Sequence, residues 1–246
     1  MLNLLKAECY KLKKSKMLYF FIALTILQLG VIYIFSPNLK SKQGEEALSY
    51  IFLMQGSLGN NILVGIFAVD FIVTEFTSGY IKNLISYGHK RKDIFLSKSI
   101  AYYIGVLAIQ FSSILIMILL DILINGNSKF IYFNSLASLV VKLLIILLIY
   151  ISLASIIVLA AFLSKNYITI GIVIALDFLN RVLNVINVQK PYLNYIFNKL
   201  IFFQINVVSI DKVTYNQYFQ AIIIALVTLI INTLLTNYIF NKSDIK

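Results

Sequence analysis

The sequence predicts an all-α membrane protein of six transmembrane helices, opened by an amphipathic helix at the membrane surface. Three observations carry that reading. Of 246 residues, 60% are hydrophobic and 13% charged, against about 45–50% and about 25% in a soluble domain. The apolar residues fall into long runs, several of about 20 residues, the length that crosses a bilayer. The charges sit in short clusters between those runs, so the net charge of +11 reads as orientation in a membrane rather than affinity for nucleic acid. No polar segment is long enough for a soluble domain, and residues 1–246 read as one transmembrane domain. Cys9 is the sole cysteine, which excludes an intrachain disulfide.

Residues 1–16 align Leu5, Cys9 and Leu12 along one stripe among lysines, the pattern of a basic helix in the headgroup layer. Residues 17–35 form an uncharged run read as a retained first span, because it exceeds a signal-peptide core and lacks a small-residue cleavage site. A polar loop, 36–49, leads to a second span at about 50–73. That span is unusually polar, with Ser57, Asn60, Asn61 and Asp70, and its Gly56, Gly59 and Gly65 allow close helix approach. Further spans are predicted at 99–124, 139–163, 168–186 and 218–240, with a tight turn at 164–167 and a polar-aromatic segment over 187–217. Thirteen of the 21 basic residues fall on the side of the termini and six on the other, so both termini and the 74–98 segment are expected in the cytoplasm.

That segment is long for a link between two bilayer helices, which usually takes about 2–8 residues. Ile81, Leu84, Ile85, Ile94 and Phe95 recur at near-helical spacing, Gly79 and Gly88 interrupt them, and Lys82, Lys90, Arg91, Lys92 and Lys98 make it basic. It reads either as a short amphipathic helix presented to a partner or as a solvated loop.

A charge at the middle of a span costs about 2.5–3.5 kcal/mol on insertion scales. Asp70 and Asp121 lie near opposite surfaces, and Lys142 is close enough to the outer end to snorkel. Asp177 and Arg181 are different, at about 14 and 20 Å from the start of their span. Their spacing suits a pair on one helix face. It is either a self-neutralised structural pair or part of a gate, with Ser57, Asn60 and Asn61 on the same path.

Catalytic patterns are missing. There is no GxxxxGK[ST] for nucleotide phosphates, no HExxH, no GxSxG, and His89 is the only histidine. The chain is not expected to be an enzyme by itself.

Two stretches resemble the permease subunits of type-2 ATP-binding-cassette exporters. Glu8, Lys11 and Leu12 are similar to the E-x-x-K-L start of that family. Glu75, Thr77, Gly79, Lys82 and Asn83, followed by Gly88, Arg91, Lys92, Ile94 and Lys98, resemble its cytoplasmic signature between spans two and three. The resemblance implies that this segment is a coupling helix docking on a separate cytosolic ATPase, which carries the ATP and Mg, while this chain binds no cofactor. It implies that residues 1–16 form a connecting helix, that 187–217 form short outer helices, and that a second permease copy, identical or a paralogue, completes the pathway among membrane lipids. The lysine-, asparagine- and isoleucine-rich composition is similar to permeases of the bacterial cytoplasmic membrane acting in bacteriocin immunity and in staphylococcal phenol-soluble modulin export. The expected function is ATP-driven export of amphipathic peptides or apolar toxins. The rival reading is an ATPase-independent carrier or scaffold using Asp177 and Arg181.

Overall fold

The computed structural model describes residues 1–35, 60–125, 133–209 and 213–243. The polar loop at 36–49, the first part of span two and Ser57, Gly56 and Gly59 lie outside the described residues. Within them the chain is helical and contains no strand.

The helices run in order α1 (Leu2–Lys14), α2 (Lys16–Phe35) and α3 (Asn60–Ala68), then a π-helical turn (Val69–Val73), α4 (Thr74–Thr77) and α5 (Tyr80–Ser86). Next come α6 (Arg91–Asn125), α7 (Phe133–Ser164), α8 (Ile168–Gln189), a 3₁₀ turn (Pro191–Leu193), α9 (Asn194–Phe197), α10 (Ile201–Val208) and α11 (Tyr215–Lys242). Among the described residues, six helical stretches are long and apolar enough to cross a membrane: Lys16–Phe35, Asn60–Thr77, Arg91–Ile116, Val140–Ser164, Ile168–Gln189 and Tyr215–Lys242. The protein is therefore an all-α membrane protein.

Each element follows from local chemistry. Ser15 interrupts the helix between α1 and α2 in an extended conformation, which turns the surface helix into the first span. Thr214 and Gln217 cap α11 reciprocally, satisfying backbone donors that a helix start leaves open. Ser164 to Tyr167 make the expected tight turn, with Asn166 Oδ1 accepting from the Ile168 amide at 3.0 Å. The segment after α8 folds into the 3₁₀ turn, α9 and α10.

Helix α11 packs along α7, α6 receives α1 and α2 on one flank, and α8 lies against α3 and α7. Gly65 makes the α3–α8 contact possible, because a Cβ there would stand 2.6 Å from Val173 Cγ1. Two hydrophobic clusters fill the bundle. One surrounds Phe67, Ile72, Phe95, Tyr102 and Phe162 near α1 and α5. The other, toward α10, includes Leu29, Ile114, Ile149 and Val208.

The structure corrects three expectations. The inward stripe of α1 is Leu4, Glu8 and Leu12 rather than Leu5, Cys9 and Leu12, because the surface it meets is the polar-lined flank of α6 and not the headgroup layer alone. Helix α6 begins at Arg91, eight residues before the expected start of span three. Burial of Ile94, Phe95, Ser97 and Lys98 carries the helical stripe straight through the basic stretch. Lys142, expected to snorkel, is enclosed by protein at 3% exposure.

Candidate functional site

At the end of the bundle where α1, α4 and the start of α6 meet, four charged side chains close a ring. Lys11 Nζ donates to Glu8 Oε1 at 2.8 Å and to Glu75 Oε1 at 3.0 Å. Lys98 Nζ lies 3.1 Å from Glu8 Oε2 and 2.5 Å from Glu75 Oε2. Each carboxylate thus spends one oxygen on each lysine, and the four charges cancel. Lys98 has no exposed surface and Glu8 is 4% exposed at its side chain, a placement tolerated only when both charges are paired and hydrogen-bonded. Lys98 also faces the Phe71 carbonyl at 3.5 Å, within the π-helical turn. Lys11 lies over the Tyr80 ring, 3.9 Å from its centroid. Burial opposes the Lys11 charge, but the hydrogen bonds and negative charges of Glu8 and Glu75 outweigh it and hold its pKa above the usual lysine value.

Glu75 enters this ring from α4, and its neighbour Phe76 points the other way. The Phe76 ring meets Phe162 edge-on at 5.3 Å and Phe240 at 6.0 Å, and Phe162 meets Phe240 at 5.1 Å. Four residues of α4 are therefore stitched to α1 and α6 by charge and to α7 and α11 by aromatic contact. Gly79 follows at φ +74, a left-handed position that an L side chain enters at a penalty of about 1–2 kcal/mol. It starts α5, an amphipathic turn that buries Ile81 and Leu84 and exposes Lys82 and Asn83. Gly88, at φ +85, ends the turn before α6. Between them Tyr87 projects outward at 81% exposure.

Arg91, at the start of α6, donates from Nη1 to the carbonyls of Phe240 and Asn241, both at 3.1 Å, and of Ser243 at 2.6 Å. These are carbonyls at the end of α11 that the helix itself leaves unpaired, and a cation there also complements the helix dipole.

The residues singled out in the sequence therefore divide. Thr77, Lys82, Asn83, Gly88 and Lys92 are exposed and available to a partner. Ile94 and Lys98 are buried and Glu75 is held in the ring, so these three shape the segment from within and are not on its outer surface. Arg91 is committed to α11. In α1, Glu8 and Leu12 face protein while Lys6, Lys13 and Lys14 stay exposed. Tyr87 and the Phe76 cluster escaped sequence reasoning. The i, i+3 spacing of Glu8 and Lys11 signals their contact, but nothing local connects Glu8 to a lysine 90 positions away.

The polar residues of the spans also part company. Asn60 is buried and donates from Nδ2 to Gln110 Oε1 at 3.0 Å, which makes it an interhelical tie between α3 and α6. Asn61 and Asp177 line one cavity of about 20 Å³ with Leu153, Val173 and Phe202, room for about one water. Arg181 Nε donates to Asp177 Oδ2 at 2.8 Å, so the i, i+4 pair forms as its spacing predicts. Asp177 is the buried member, at 4%, and Arg181 is 49% exposed.

The family model described as ABC-2 family transporter protein matches residues 4–180, which take in most of α1, the charged ring, the α4–α5 segment and most of α8. No curated protein matches the chain.

Proposed function

The chain belongs to the ABC-2 transporter family, and from that membership we propose that it is the permease half of an ATP-driven exporter whose α4–α5 segment docks on a separate cytosolic ATPase. The ATP and Mg belong to that partner. Both termini and the 74–92 segment face the cytoplasm of a bacterial cell in this reading, in keeping with the basic residues gathered there. The pathway forms with a second permease copy, identical or paralogous. The cargo is an amphipathic peptide or another apolar toxin.

The observation that carries the reading is the closed ring of Glu8, Lys11, Glu75 and Lys98 directly behind the exposed α5 surface. A load applied to α5 reaches α1 and α6 through ion pairs and α7 and α11 through Phe76, so closure of two ATPases would swing those helices as a body. The surface offered to the partner is Thr77, Lys82, Asn83, Tyr87 and Lys92, a tyrosine set among cations, which suits an acidic-rimmed apolar groove.

Purification of the chain from its native membrane tests this. The expected result is co-purification of a nucleotide-hydrolysing subunit, lost in Tyr87→Ala combined with Lys82→Glu. Retention of the subunit by that variant, or a chain that transports without any ATPase, contradicts it.

A further inference from the structure

Helix α8 is covered on one side alone. Thr169, Val173, Asp177 and Asn180 form a buried stripe against α3 and α7, while Phe178, Val182, Val185 and Val188 are open. Arg181 stands among the open residues, about 20 Å along the helix from Ile168 and so well inside a hydrocarbon core of about 30 Å. Its Nε is spent on Asp177, whose carboxylate lies on the buried side. No other hydrogen bond of Arg181 is found among the described residues. A guanidinium carries five N–H donors, and the Arg181 side chain is 49% exposed.

Lipid tails cannot satisfy those donors, so acyl chains do not cover this face. Among the described helices, a second copy of the same chain offers no carboxylate to match. Asp70 belongs to the π-helical turn beside the charged ring, and Asp121 lies on α6 about 35 Å above Lys98. No other acidic residue of the described helices stands at the depth of Arg181 apart from its own partner, Asp177. The apolar residues around the guanidinium continue, one turn on, into an open depression of about 310 Å³ formed by Asn184, Val185, Val188 and Gln189.

We propose that the outward edge of Arg181, flanked by Phe178 and Val182, binds the anionic head of an amphiphile whose apolar part lies along Val185 and Val188. The head is a carboxylate or a phosphate, the two groups whose paired oxygens match the guanidinium fork. This deepens the export reading and rests on it, since it takes the open face of α8 to border the pathway. It narrows the cargo to molecules that carry such a group. The Asp177–Arg181 pair is neutral by itself, so the ligand alone supplies the net charge, and Asp177 keeps the fork oriented while the site is empty.

The chain contains no tryptophan, so one introduced at Phe178 reports on this site alone. The full-length Phe178→Trp protein in detergent is titrated at alkaline pH with dibrominated stearate, with its methyl ester, and with the phosphate monoester of the matching brominated alcohol. At least one anion is expected to quench the tryptophan at about tenfold lower concentration than the ester. Quenching by the carboxylate alone, the phosphate alone or both identifies the head group taken. The electroneutral Asp177→Asn/Arg181→Gln variant should bring all three probes to the same concentration. Equal quenching by ester and anions, or an anion preference that survives this variant, overturns the proposal. Val182→Trp serves as a second reporter should Phe178→Trp not fold. The titration needs neither nucleotide nor ATPase, so its failure is separate from failure of the coupling reading.

Discussion

Lys98 Nζ sits 2.5 Å from Glu75 Oε2 with no part of the lysine reaching the surface, and this contact fastens the start of α6 to the short helix that precedes the exposed segment. Removing one member of such a pair leaves a buried charge alone, which costs about 3–5 kcal/mol, whereas replacing the whole set with apolar or neutral groups is often close to neutral. Lys98→Met should therefore destabilise the protein strongly in a detergent unfolding assay. Glu8→Gln, Glu75→Gln and Lys98→Met together should recover much of that loss. A triple variant as unstable as the sum of its parts would mean that the four groups do not act as one unit.

Arg91 should matter at the far end of the chain. Hydrogen bonds to a charged group are worth about 1.5–3 kcal/mol, and Arg91 makes three at the end of α11. Arg91→Ala is expected to speed amide exchange across residues 237–243 while leaving the centre of α11 protected. Arg91→Lys, with a single ammonium in place of the fork, should recover part of that protection. Unchanged exchange in Arg91→Ala would contradict the clamp.

Gly65 predicts a compensating pair. A Cβ at this position would stand 2.6 Å from Val173 Cγ1, so Gly65→Ala forces α3 and α8 apart, with a penalty of about 1–3 kcal/mol for overpacking. Val173→Ala in the same chain removes the obstructing methyls and should restore most of the melting temperature. Additive losses would show that the two helices do not touch here.

The Lys11 pKa gives a stability window with a definite sign. It is raised in the folded protein above the ordinary 10.5, so its contribution is complete below 10.5 and falls as pH climbs beyond it, where the unfolded chain sheds the proton and the folded one keeps it. The difference in melting temperature between wild type and Lys11→Met should be flat through neutral pH and shrink in strongly alkaline buffer. A difference that grows there would reverse the assignment.

Much of this architecture is legible in the sequence because a bilayer allows few solutions. Runs such as 17–35 and 168–186 must cross it as helices, and Asp177 with Arg181 reads as a pair from spacing alone. Gly79 and Gly88 mark turns that the backbone takes at positive φ. The roles within the 74–98 segment are less legible. Glu75, Lys82, Arg91 and Lys98 look alike as charges on a basic stretch, and what separates them is tertiary: one faces outward, two close a ring with α1, and one caps α11. Sequence spacing cannot assign those roles, because each partner comes from a remote helix. The inward turn of Glu8 on an apolar stripe is similarly invisible until Lys98 is seen behind it.

In the proposed exporter the ring passes mechanical work from a docked ATPase to the spans. The most direct measurement is cargo moved per ATP hydrolysed by the reconstituted complex, wild type against Glu75→Gln. With the outward surface of α5 intact, the variant is expected still to bind its ATPase and hydrolyse ATP while transport per ATP falls about tenfold or more. Transport and hydrolysis that keep the wild-type ratio would contradict it.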